Sequence, residues 1–216
     1  MTDRPRTDGS AAPDPALRQM ERYWTQLRGD RRLPQRRDVD PSKIEGALPW
    51  AFMMQRIAPG VGRVRVAGQR LEGILGTDPR GLPLTAFFAP SARETVTEHL
   101  TALFDDPAIA ELPVVSRRGI ARPHLSGRLL LLPLIGDDGL VSASLGALVV
   151  DGEPGSTPRR FEIGPGTLRC ERVRSARYME HRARIVDELD EARRPDHPPP
   201  HHGGRPRLRL VVDNTR

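Results

Sequence analysis

Lysine is almost missing from this chain: of 34 basic residues in 216, Lys43 is the only lysine. The basic side is therefore arginine, a bias that a GC-rich genome produces without functional cause. Cysteine occurs once, at Cys170. A lone cysteine excludes an internal disulfide, and no Cys/His spacing suggests a structural zinc site. Aromatic residues make up 4% of the chain, too few for a row of base-stacking platforms. Long apolar runs are missing as well. The longest, "LLLLPL", is far short of a bilayer span, and the N-terminal residues contain no apolar signal region. A cytoplasmic chain without a transmembrane segment is the expectation.

The hydrophobic share of 37% lies below that of an ordinary globular domain. One domain with poorly packed ends follows from it. Residues 1–13 read as a disordered tail, rich in charge, Gly, Ala and Pro. A domain with an N-terminal helix is expected over 14–152, a linker with an amphipathic helix over 153–194, and a Pro/His/Arg-rich tail over 195–216.

Within the domain, Asp14 and Pro15 start a helix that carries Leu17, Met20, Trp24 and Leu27 on one face and ends at Gly29. Asp40 and Pro41 start a second, short helix with Ile44 and Leu48 inward. "WAFMMQRI", "APGVG" and "RVRVA" form a hairpin in which Val64 and Val66 face inward and Arg63 and Arg65 outward. Leu71, Ile74 and Leu75 lie at helical spacing between Gly68 and Gly76. Ser91 and Glu94 have capping-box spacing ahead of Val96, Leu100, Leu103 and Phe104. "IAELPVVSRR", "RPHLSGRLLLLPL" and "LVSASLGALVVDG" then read as successive strands, the last two joined by a turn at "IGDDG". Strands interrupted by helices and resumed as a meander indicate an antiparallel α+β fold.

"YWTQLRGDRRLPQRRDVDP", "RVAGQRLEGILGTDPRG" and "LLLLPLIGDDGLVSASLGAL" together resemble the stand-alone PAS domain proteins of alphaproteobacteria. The resemblance runs over most of Tyr23 to Val150. It implies a PAS-like five-stranded antiparallel sheet with helices on one face, an added N-terminal helix and a C-terminal extension. It also implies a sensory or adaptor role in signal transduction, with output through a signalling partner and a homodimer among the arrangements it allows. A ligand pocket would lie between sheet and helices at Leu71, Leu75, Phe87 and Leu100, and Arg65 is the candidate partner-binding residue. Its guanidinium could pair a carboxylate such as Asp78, or its stem could simply cover apolar surface.

The chemistry of an enzyme is not legible. Gly73, Gly76 and Gly81 form no phosphate-loop pattern. Ser126 and His124 lack a nucleophile elbow, and Asp137 and Asp138 belong to a turn. No covalent flavin is expected, because Cys170 lies outside the helical region. Haem is not expected either: His99 lies at the edge of its helix stripe, without a second pocket feature. His197, His201 and His202 sit in a proline-rich tail that suits adventitious metal binding only. Ala176, Met179, Ala183 and Val186 fit a signalling or dimerising helix, or one docked on its own domain. An alternative function is a basic nucleic-acid-associated regulator, resting on the arginines of 31–37 and 169–184.

Overall fold

The computed structural model describes residues 14–174. The expected tail at 1–13, the helix centred on Met179 and the histidine-bearing tail lie outside these residues.

The first helix, α1 (Pro15–Arg28), begins as its sequence dictates: the Asp14 carboxylate accepts the Ala16 amide at 2.7 Å and Pro15 occupies the first turn. Strands β1 (Ala51–Ala58) and β2 (Val61–Ala67) make a hairpin, followed by α2 (Gln69–Leu75) and α3 (Arg93–Asp105). Strands β3 (Ala108–Ser116), β4 (Leu125–Leu134) and β5 (Ala143–Val150) complete the long elements. All pairings are antiparallel, in the order β2-β1-β5-β4-β3. Two short strands, β6 (Glu162–Ile163) and β7 (Arg169–Arg172), pair with successive parts of β3 and bring the sheet to seven strands. The stretch from 153 to 172, expected as the start of a linker, is thus partly in the sheet.

Helices cover both sheet faces, which explains why β5 is buried throughout. On one face Phe52, Met54, Leu129, Leu131 and Leu148 pack with apolar residues of α2 and α3. On the other, Leu130, Leu132, Leu145 and Ala147 meet Leu17, Met20 and Trp24 of α1. The "LLLL" run therefore supplies both cores in alternation, as the strand period of two requires.

The first quoted segment is a clasp that fixes α1 to this second face. Trp24 donates its buried indole N–H to the Pro133 carbonyl at 2.9 Å, and the Tyr23 hydroxyl accepts the Asp40 amide at 2.6 Å. The chain then runs beside the end of β4: the Ile135 amide donates to the Pro34 carbonyl at 2.9 Å, and the Arg36 amide to the Ile135 carbonyl at 2.8 Å. The Arg36 guanidinium closes on Asp137 at 2.6 Å. Asp40 caps the 3-10 turn Pro41–Ile44, and the Ser42 hydroxyl and amide hold its carboxyl below the usual carboxylate range. Trp24→Phe keeps an aromatic ring in the core but removes the bond to the Pro133 carbonyl and the rest of the indole. It is expected to lower unfolding free energy by about 1–3 kcal/mol, measured by urea denaturation.

Two local expectations are corrected. The helix with the strongest sequence pattern, α3, starts at Arg93 after a 3-10 turn, Pro90–Ala92; its N-cap is Ala92 and no side chain caps it. Ser91 lies inside that turn, so the Ser91/Glu94 capping box does not form. Second, Val66 is not inward. The β1–β2 register shifts between Met53 and Met54: Met54 lies opposite Val64, whereas Met53 lies opposite Val66, leaving Arg65 as the extra residue of a bulge. One added residue reverses the side-chain alternation. Val64 is buried in the core and Val66 is 60% exposed.

Candidate functional site

That reversal makes a groove. Helix α1 packs over β4 and β5 but leaves the same face of β1 and β2 without a helix. Met53, Val66 and Leu145 line the sheet side, and Pro41, Ile44 and Leu48, carried by two 3-10 turns, line the opposite side. The cavity measures about 360 Å³, at the small end of the range for ligand-sized clefts. Gly68 and Gln69 also line it. Gly68 is needed for close approach: a Cβ there would lie 2.1 Å from the Leu48 carbonyl oxygen and 2.5 Å from that of Pro49. Its amide donates to the Ala51 carbonyl at 2.7 Å. Arg65 and Gly68, three residues apart, thus pair the bulge residue with the glycine that lets β2 turn into α2 beside the groove.

Arg65 is exposed and donates through Nε to Gln55 at 3.1 Å. It does not meet Asp78. That carboxylate takes the Arg80 guanidinium, at 2.7 Å and 3.0 Å through Nε, together with the Arg80 amide; these bonds hold its pKa below the usual range. Leu71, Leu75, Phe87 and Leu100 do come together, all nearly or fully buried in the core between sheet and helices. The groove lies on the other side of the sheet and is lined by different residues. Sequence periodicity finds buried faces; a groove created by a bulge and two 3-10 turns has no period to detect.

The remaining candidates are placed as follows. The half-buried His99 ring faces its own helix, with Nδ1 2.8 Å from the Thr95 carbonyl oxygen. Cys170 is exposed on β7, opposite Ala110 of β3. Ser126, His124 and Asp151 line one cleft, but the serine hydroxyl bonds directly to Asp151 at 3.1 Å, which is not a Ser–His–Asp relay. Asp138 accepts the Leu140 amide and Ser142 hydroxyl within its turn, and these bonds lower its pKa. Among the described residues no group of three His, Cys, Asp or Glu side chains could hold a metal ion. Nor is any described helix long and apolar enough to cross a membrane. Several arginines of the basic clusters are engaged: Arg31 with Asp38, Arg36 with Asp137, Arg169 with Glu21 and Arg172 with Asp106. Those ion pairs reduce the charge available to a phosphate backbone.

A family model described as "PAS domain" matches residues 13–149. One similar solved structure, "Flavin Analogue Sheds Light on Light-Oxygen-Voltage Domain Mechanism", shares 14% identity, with a TM-score of 0.36 over 69% of this chain and 93% of that chain. Curated proteins yield no match. The family match spans the N-terminal helix, both hairpin strands, the intervening helices and the β3–β5 meander, so the chain belongs to the PAS domain family of sensory signalling domains.

Proposed function

We propose that the chain is a non-enzymatic PAS adaptor that engages a signalling protein through the groove beside the β1–β2 hairpin. The observation that supports this reading is the bulge at Arg65, which brings Val66 out of the core to line an apolar cleft with Met53 and Leu48. A soluble domain gains nothing in folding from an exposed valine there. A partner helix or strand would remove it from water. Arg65 stands next to this valine in the strand and supplies a rim charge suited to a carboxylate on the partner. Small-molecule control would act on the core at Leu71, Leu75, Phe87 and Leu100, by shifting which packing of helices on sheet predominates.

Val66→Asp tests the groove. With 60% of the residue already exposed, the variant is expected to melt close to the parent and to lose its partner about tenfold or more, as a central contact would. The control is Leu140→Asp, in the β4–β5 turn, also well exposed. Quantitative affinity capture should recover one signalling protein with the parent and Leu140→Asp, and lose it with Val66→Asp. Undiminished capture by Val66→Asp would remove the groove from the proposal.

A further inference from the structure

The loop between β3 and β4 is built for a different contact. Residues 117–124 are all exposed, and Ile120 at the tip is 98% exposed, the most of any large apolar side chain described. The same loop carries Arg117, Arg118, Arg122 and His124, all exposed. Glu162 engages Arg117 at 2.8 Å, but Arg118 and Arg122 have no carboxylate partner among the described residues. The loop thus offers one apolar side chain wholly in water together with two arginines that no carboxylate neutralises.

The tip is held in place. Gly119 and Arg122 exchange both backbone hydrogen bonds, at 2.9 Å and 3.1 Å, which puts Ile120 and Ala121 at the apex of a tight turn. Ala121 has φ of 53°, a left-handed conformation that an alanine adopts only when its surroundings impose it. Those surroundings are visible. The Ser156 amide donates to the Ala121 carbonyl at 2.9 Å, and the buried Arg159 donates to the Pro123 carbonyl at 2.6 Å. Gly155 lies against the same place, where a Cβ would come within 2.6 Å of the Ala121 carbonyl oxygen. A neighbouring loop thus supports an otherwise strained apex.

A protein partner is ordinarily met by several apolar groups forming a patch or groove. Here a single large apolar side chain shares an exposed loop with arginines. A fluid, negatively charged headgroup layer needs no shape match: it accepts a single apolar side chain at its acyl boundary and attracts arginines at its surface. We propose that the β3–β4 tip is a reversible docking point for an anionic lipid surface, with Ile120 inserted and Arg118 and Arg122 against the headgroups. This site is separate from the groove and leaves it free for a protein.

Co-sedimentation of the full chain with vesicles tests it, using mixed phosphatidylglycerol and phosphatidylcholine against phosphatidylcholine alone. Binding is expected only to the anionic vesicles, and weaker as salt rises. Ile120→Asp and the double variant Arg118→Glu/Arg122→Glu should each weaken it about tenfold or more. Arg63→Glu/Arg65→Glu removes the same charge from the β2 surface and should cost much less. A dye attached at Ile120→Cys, in a Cys170→Ser background, should shift to the blue on anionic vesicles. Equal loss in the two double variants would reduce the effect to net charge and overturn the proposal. Absence of binding to the anionic vesicles would also overturn it.

Discussion

Arg159→Met is expected to destabilise the domain by about 1–3 kcal/mol, through loss of the hydrogen bonds that its guanidinium makes to three segments. Arg159 is 1% exposed and forms no ion pair among the described residues. Its guanidinium instead donates to the Ser116 hydroxyl at 3.2 Å, the Pro154 carbonyl at 2.8 Å and the Pro123 carbonyl at 2.6 Å. Burial pushes its pKa down, with the nearby positive charge of Arg122 adding to the effect. The cation is tolerated because guanidinium is weakly hydrated and its fork matches acceptors on three separate segments. Removal takes the shared donor away from carbonyls where β3 ends, at the base of the β3–β4 tip and after β5, so three segments lose their common tie. The backbone of Arg159 adds a further tie, its amide donating to the Ile74 carbonyl of α2 at 2.8 Å.

Arg159→Lys should recover little, since one ammonium cannot span the three directions. Arg117→Met is the comparison: its guanidinium meets Glu162 at the surface with 80% of the side chain exposed, and the expected cost is under about 1 kcal/mol. Urea denaturation of the three variants measures the contrast. Equal midpoints for Arg159→Met and the parent would mean that the carbonyls find other partners.

The sequence patterns located α1, α2 and the five long strands because each carries its own boundary chemistry: Asp14–Pro15, the glycines at 68 and 76, and the turn residues at 59–60 and 136–139. They missed features that depend on a neighbour. The bulge at Arg65 is defined only against β1, and without that register Val66 falls on the wrong face. Strands β6 and β7 span two and four residues, too few to show alternation, and exist because β3 offers them an edge. Arg159 lies in a Pro/Gly-rich stretch where an arginine reads as surface; its burial comes from the loops that close over it. The Leu71, Leu75, Phe87 and Leu100 cluster was legible because all four lie on the inward faces of their elements. Periodicity has no term for empty volume, so it could not distinguish a pocket from a packed core.

Leu100→Ala makes that distinction measurable. Leu100 is fully buried among Val96, Leu103 and the sheet residues of the same core, so truncation should cost about 2–5 kcal/mol, set by how far the walls relax. For a domain of this size each kcal/mol lowers the melting temperature by about 2–4 °C. A new cavity with apolar walls stays dry and accepts a small apolar guest. Benzene or indole at about a hundred times its dissociation constant should return about 2.7 kcal/mol to Leu100→Ala. An adaptor without ligand control shows no such gain in the parent, whose leucine already fills the site, and the groove variant Val66→Asp should respond as the parent does. Stabilisation of the parent by the same compounds, abolished by Leu100→Phe, would instead mean that the core holds a pre-existing ligand space. Control of the partner would then pass through the helices on this face of the sheet, across β1, to the groove on the other. That route is short: Phe52 belongs to the core and, with its strand neighbours Ala51 and Met53, also lines the groove, so a change in how α2 and α3 pack would reach the partner surface through a single strand.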